Sequence, residues 1–144
     1  MSDRAGHAVV IPAALVDEMV VHCLAALPLE GCGLLVGHAE TREVIRVVPT
    51  ANEAGSSRLY TVGSADFFRA DRAAERDGLA IVGVFHSHTH TDAYPSPTDI
   101  AQAPDPTWHY VLVSLRDEVA SVRSFAIERG VVLEEPIVER VPGP

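Results

Sequence analysis

The sequence predicts a single α+β domain, a mostly antiparallel sheet flanked by two long helices. Three observations carry that expectation: apolar residues recur at helical spacing in two windows, short β-branched runs lie between turn residues, and no internal repeat or low-complexity block interrupts them. The 144 residues match the size of one ordinary domain able to bury one core, so the whole span 1–144 is read as a single unit.

Ala8 to Ile11 is a short apolar run ending at Pro12 and reads as a strand. Leu15, Val16, Met19, Val20, Cys23, Leu24 and Leu27 then follow the three- and four-residue steps of one helix, which Pro28 stops. Cys32 to Val36, closed by Gly37, and Val44 to Val48, closed by Pro49, are neighbouring strands of an expected hairpin. Residues 50–57 are small and polar and read as a loop, with Arg58 to Val62 as a short strand beyond it. Ser64 is the expected N-cap of a second helix running through Phe67, Phe68 and Ala74 to about Asp77, with Gly78 as its stop.

Leu79 to Phe85 is continuously hydrophobic, the pattern of a strand buried on both faces, and it delivers the chain directly to His86. Tyr110 to Ser114 and Val119 to Phe125 are β-type runs joined around Asp117, and Val131 to Leu133 is a last short strand. The tail from about position 136, ending Val-Pro-Gly-Pro, is expected to fray.

Hydrophobic residues at 47% and charged residues at 22% are the proportions of a soluble globular protein. The 11 basic and 20 acidic side chains leave a formal charge of −9, which repels phosphate backbones and anionic lipid surfaces and argues against a nucleic-acid or membrane partner. Cys23 and Cys32 are too few for a disulfide framework and read as reduced thiols. The opening Met-Ser-Asp-Arg-Ala-Gly-His is unlike a secretory signal, and no run reaches the ~18 to 20 apolar residues of a membrane span, so the cytoplasm is the expected location.

The chemistry concentrates directly after the expected strand Leu79 to Phe85, in His86-Ser-His88-Thr-His90. In an extended segment residues i and i+2 point the same way, so His86 and His88 present two imidazoles to one side while Ser87 faces the other. Catalytic zinc usually takes three protein ligands and leaves a fourth position to water, so a carboxylate is the natural third. Asp99 suits it, because Ser96-Pro97-Thr98-Asp99 reads as a helix start that holds an acid in its first turn; Asp92 is nearer in sequence and rivals it. Taken singly, a histidine pair is also what a solvent-facing edge shows, and Ser-Pro-x-Asp is also an ordinary helix cap. His90 reads as a surface residue and His109 as a satisfied strand position.

Taken together, His86-x-His88, then residues 89–98, then Asp99 with Ser96 three before it, resemble the signature of the JAMM (MPN+) metalloprotease family. Glu30, ahead of the glycine-bounded run Gly31-Cys32-Gly33-Leu34-Leu35-Val36-Gly37, matches the upstream glutamate of that family. The resemblance covers nearly the whole chain and implies the JAMM/MPN (cytidine-deaminase-like) fold, with a short helix at the metal site. It further implies one zinc per chain on His86, His88 and Asp99, a water activated by Glu30, and a hydrogen bond from Ser96 to the oxyanion. Thr89 departs from the proline common in deubiquitinating members.

His-Ser-His-Thr, the Asn52-Glu53 loop and His109-Tyr-Val-Leu-Val-Ser are similar to bacterial, mycobacterial-type members that work beside ubiquitin-like sulfur-carrier proteins. The substrate implied is the carboxy-terminal amide of a small β-grasp carrier, releasing cysteine or another residue, or exposing Gly-Gly for sulfur transfer. Gly31 and Gly33 are expected to let an extended tail approach closely. An isopeptidase of a ubiquitin-like conjugation system and a non-catalytic scaffold of the same fold are the alternatives, and homodimerisation stays open. A zinc nucleobase deaminase would need His-x-Glu with a later Cys-x-x-Cys, and the sequence has neither.

Overall fold

The computed structural model describes residues 7–139. Eight strands form one mixed sheet in the order β7-β6-β5-β4-β2-β3-β1-β8, with one long helix on each face. The opening residues and the Val-Pro-Gly-Pro tail read above lie outside the described residues, apart from His7.

β1 (Val9–Val10) leads into α1 (Ala13–Ala26), whose residues Met19 and Cys23 are fully buried against one face of the sheet. β2 (Cys32–His38) and β3 (Glu43–Thr50) form the expected antiparallel hairpin. α2 (Ser64–Arg76) lies on the opposite face, packed on β2 and β4 (Ala80–His88). The two cores follow from the pleat: Leu35, Phe85 and Val111 turn towards α1, while Leu34, Val36 and Ile81 turn towards α2. Five residues make the short α3 (Pro97–Ala101), and β5 (His109–Ser114), β6 (Ser121–Glu128) and β7 (Val131–Glu135) complete that side.

Three expectations need correction. The tail read as fraying from about 136 instead forms β8 (Ile137–Val138), parallel to β1, with Val9 N–H donating to the Pro136 carbonyl and Ile11 N–H to that of Val138. A two-residue strand has no periodicity to read, and its stability comes wholly from its partner. Arg58 to Val62 is not a strand; only Val62 bridges to Asn52, because the Asn52 side chain takes up backbone groups that a ladder would have paired. The N-cap of α2 is Gly63, with Ser64 already helical and no side-chain cap present, whereas Gly78 ends the helix at φ +72°, the conformation that favours glycine.

Strand β4 is hydrogen-bonded on both sides, antiparallel to β2 and parallel to β5. Gly83 makes the parallel contact: a Cβ there would stand 2.1 Å from the His109 carbonyl oxygen. Gly83→Ala is expected to lower stability by about 2 kcal/mol or more, since backbone on both sides leaves no flexible atom to yield, with urea unfolding as the measurement. His109 itself is buried and bonds through Nδ1 to Glu135 at 2.5 Å, the satisfied strand position expected of it. None of the helices among the described residues is long and apolar enough to cross a membrane.

Candidate metal centre

His86 and His88 end β4, and both are buried, with 3% and 5% of their surfaces exposed. Their neighbour Ser87 points to the other face, where its Oγ accepts the Gly31 N–H at 2.8 Å. That bond ties the β4 end to the segment carrying Glu30.

Asp99 comes from α3. Ser96 caps this helix by accepting the Asp99 N–H at 3.1 Å, and the Asp99 carboxylate accepts the Ser96 N–H at 2.9 Å, a capping box. The same carboxylate oxygen, Oδ2, stands 3.2 Å from His86 Nε2 and 3.1 Å from His88 Nε2. Asp92 is elsewhere: its side chain is 74% exposed and pairs with Arg116 at 2.7 Å. Only its carbonyl joins the centre, accepting the Nδ1–H of His88 at 2.8 Å.

That backbone bond settles the His88 tautomer, because a carbonyl can only accept. Nε2 of a neutral His88 therefore turns a lone pair towards a carboxylate oxygen 3.1 Å away. Two acceptors at that distance repel unless a cation lies between them. The donor atoms of His86, His88 and Asp99 all fall within 4.8 Å of one another, and 3.1–3.2 Å is close to the edge of about 3.3 Å of a tetrahedron built with zinc–ligand bonds of about 2.0–2.1 Å. The donor set fits a zinc ion.

Glu30 is 4% exposed, and its Oε1 is buried with no hydrogen-bond partner among the described residues. Burial pushes its carboxyl up to about 7, opposed by the nearby His88 and reinforced by Asp99. Burial also tends to raise Asp99, but hydrogen bonds from the two imidazoles in their protonated forms override it and hold that carboxyl well below the usual range. The deeper His86 is pushed down by burial, while in His88 the bonds to Asp99 and to the Asp92 carbonyl outweigh burial and raise it. A carboxyl poised near neutrality beside a three-ligand cluster has the properties of a general base.

Two residues of the centre lie outside the His-x-His and Ser-x-x-Asp pattern. Tyr60 stacks on His86, with ring centroids 4.1 Å apart and planes 18° from parallel, so it fixes the imidazole plane and covers that face. Asn52 binds the carbonyls of Glu30 (3.0 Å), Ser56 (3.3 Å) and Leu59 (2.8 Å) through one amide nitrogen, pinning residues 56–59 to the base of Glu30. Gly31 and Gly33 do not face a substrate path: a Cβ on Gly31 would meet Cys23 and one on Gly33 would meet Phe85, so both make room for the core.

The family described as prokaryotic homologs of the JAB domain matches residues 12–128. A relative from Mycobacterium tuberculosis named CysO-cysteine peptidase is 40% identical over 132 residues, covering 91% of this chain and 90% of the relative. A Thermus thermophilus relative named probable TtuB-protein conjugate cleaving protease is 35% identical, covering 83% of this chain and 76% of its own. A Desulfitobacterium hafniense protein solved in solution superposes with a TM-score of 0.83 at 32% identity, over 90% of this chain and 91% of that one. On a match that spans both faces of the sheet and the whole histidine, serine and aspartate pattern, the chain belongs to the prokaryotic homologs of the JAB domain, within the JAB/MPN family.

Proposed function

We propose that this chain is a zinc-dependent metallopeptidase that hydrolyses the carboxy-terminal amide of a small ubiquitin-like, β-grasp sulfur-carrier protein, releasing cysteine or another terminal residue. The observation that carries the chemistry is the convergence of His86 Nε2, His88 Nε2 and Asp99 Oδ2 beside the unpartnered, buried Oε1 of Glu30. The substrate class follows from the relative named CysO-cysteine peptidase and from the sequence resemblance.

When bound, zinc supplies Lewis-acid polarisation of a carbonyl and acidification of water near neutral pH. His86, His88 and Asp99 would hold it, the first two oriented by the Tyr60 ring and the Asp92 carbonyl. Glu30 takes a proton from the attacking water as the new C–O bond forms, and returns it to the nitrogen as the C–N bond breaks. The products are a carboxylate on the carrier and a free amine. Ser96 uses a lone pair of Oγ for its cap, which leaves its O–H proton for the developing oxyanion.

A cavity of about 480 Å³ beside Asp99, lined by Leu34, Tyr60, Val62, Val84 and Trp108, suits the extended tail of such a carrier. Backbone pairing along the 59–62 segment would make cleavage depend on the tail more than on the released residue. The buried free thiols Cys23 and Cys32 accord with a reducing cytoplasm.

The name of the Thermus relative favours a second reading, cleavage of protein conjugates at isopeptide bonds. A silent scaffold would have no use for an intact ligand set and base. Mass spectrometry on carrier adducts made with cysteine, with other amino acids and as lysine-linked isopeptides separates these. We expect the cysteine adduct to be cleaved; hydrolysis of the isopeptide alone, with every terminal adduct intact, would replace the first reading by the second.

A further inference from the structure

A second cavity, of about 440 Å³, also borders the candidate metal centre and is lined by Glu30, Ser57, Arg58, His88, His90 and Ser96, whereas the tail cavity borders it at Asp99. Arg58 is the residue that the hydrolytic chemistry leaves unused. It is the arginine that lines this cavity beside Glu30 and His88, and it has no acidic partner among the described residues, unlike Arg46, Arg69, Arg116 and Arg123, which are paired elsewhere.

Its backbone is held closely to the reacting groups. Ser56 accepts the Glu30 N–H on its carbonyl at 2.9 Å, and its Oγ accepts the N–H of Arg58 at 3.0 Å and of Leu59 at 3.2 Å. The Thr89 hydroxyl, one residue beyond His88, donates to the Ser57 carbonyl at 3.3 Å. With the Asn52 amide, these bonds fasten a guanidinium-bearing turn to both Glu30 and the end of β4.

The departing amine must lie within reach of the acid that protonates it, and Glu30 lines this cavity and not the tail cavity. The residue being released therefore occupies the Arg58 side. If that residue is a terminal amino acid, its α-carboxylate enters a site that already holds the Glu30 and Asp99 carboxylates, in a chain of formal charge −9. A doubly charged zinc ion would be matched by those two carboxylates, so the centre itself leaves no net positive charge for a third carboxylate, and a further cation beside it would favour one. A lysine linked through its side chain brings no carboxylate to that position.

We propose that Arg58 binds the free α-carboxylate of the residue cut from the substrate, and so selects a terminal amino acid over a lysine side-chain conjugate. This rests on the peptidase reading above. A planar guanidinium matches a carboxylate with two parallel hydrogen bonds, and on an exposed turn such a pair is worth on the order of tenfold in binding.

The test compares carrier protein ending in cysteine with the same carrier ending in cysteinamide, which differs only in lacking the charge. Zinc-loaded enzyme with Arg58 intact is expected to cleave the acid about tenfold more efficiently in kcat/KM, and Arg58→Gln to remove that preference by slowing the acid alone. In the Glu30→Gln background, calorimetry should show the same preference as a difference in Kd without turnover. Equal handling of the two adducts by the Arg58 enzyme, or a preference that survives Arg58→Gln, overturns the carboxylate role and leaves the peptidase reading standing. Failure of the Arg58 enzyme to cleave either adduct overturns both.

Discussion

Glu30→Gln is expected to lower turnover by about 10²- to 10⁴-fold while leaving metal content and fold in place. The amide keeps the size and shape of the side chain and removes only the group that can accept a proton. Because the wild-type carboxylate is buried with an unpartnered Oε1 and is pushed up to about 7 by that burial, exchanging it for a neutral group should not lower thermal stability. The measurements are single-turnover hydrolysis of a carrier adduct, metal analysis and a melting curve on the same preparation. Near wild-type rates would remove Glu30 from the proton-transfer role, and loss of metal would make it a ligand instead.

Alanine at His86, His88 or Asp99 is expected to abolish stoichiometric zinc binding, and activity with it. Wild-type protein should carry one zinc per chain by elemental analysis, and each single variant should fall well below stoichiometry after dialysis, because two ligands do not make a competent site. Asp92→Ala is the control: its carboxylate is out at Arg116 and only its carbonyl reaches His88, so zinc should be retained. Full occupancy in Asp99→Ala with loss in Asp92→Ala would reverse the assignment. The Asp99 variant has an extra cost, since it also removes half of the capping box at α3. Asp99→Asn separates the two roles by keeping an acceptor for the Ser96 N–H.

The reach of the sequence differed by element for physical reasons. α1 and the β2–β3 hairpin were legible because their apolar residues repeat with the period of a helix or fill a buried strand, and those patterns are local. β8 was not, since two residues paired to β1 have no pattern of their own. At the candidate site, His86 and His88 could be read from strand geometry, whereas the choice between Asp99 and Asp92 needed the family spacing and then the coordinates. Asn52 stood in a loop that carried part of the family resemblance, but an amide that binds three carbonyls leaves no periodic trace. The same holds for the stack of Tyr60 on His86, made between residues far apart in sequence. Gly31 and Gly33 show the opposite failure: glycine marks close approach, and the sequence does not say whether the neighbour is a substrate or the core.

The placement of the histidine pair on a central strand bears on how the apoenzyme behaves. β4 is laddered to β2 on one edge and to β5 on the other over residues 83–86, so amides there can exchange with solvent only when the middle of the sheet opens. The imidazoles are thus placed by the sheet, and Asp99 by the capping box of its five-residue helix, through contacts that do not involve an ion. In contrast to small zinc modules that unfold on chelation, this architecture separates the survival of the fold from the occupancy of the centre. Chelator treatment is therefore expected to leave the far-UV circular dichroism spectrum of the folded protein unchanged.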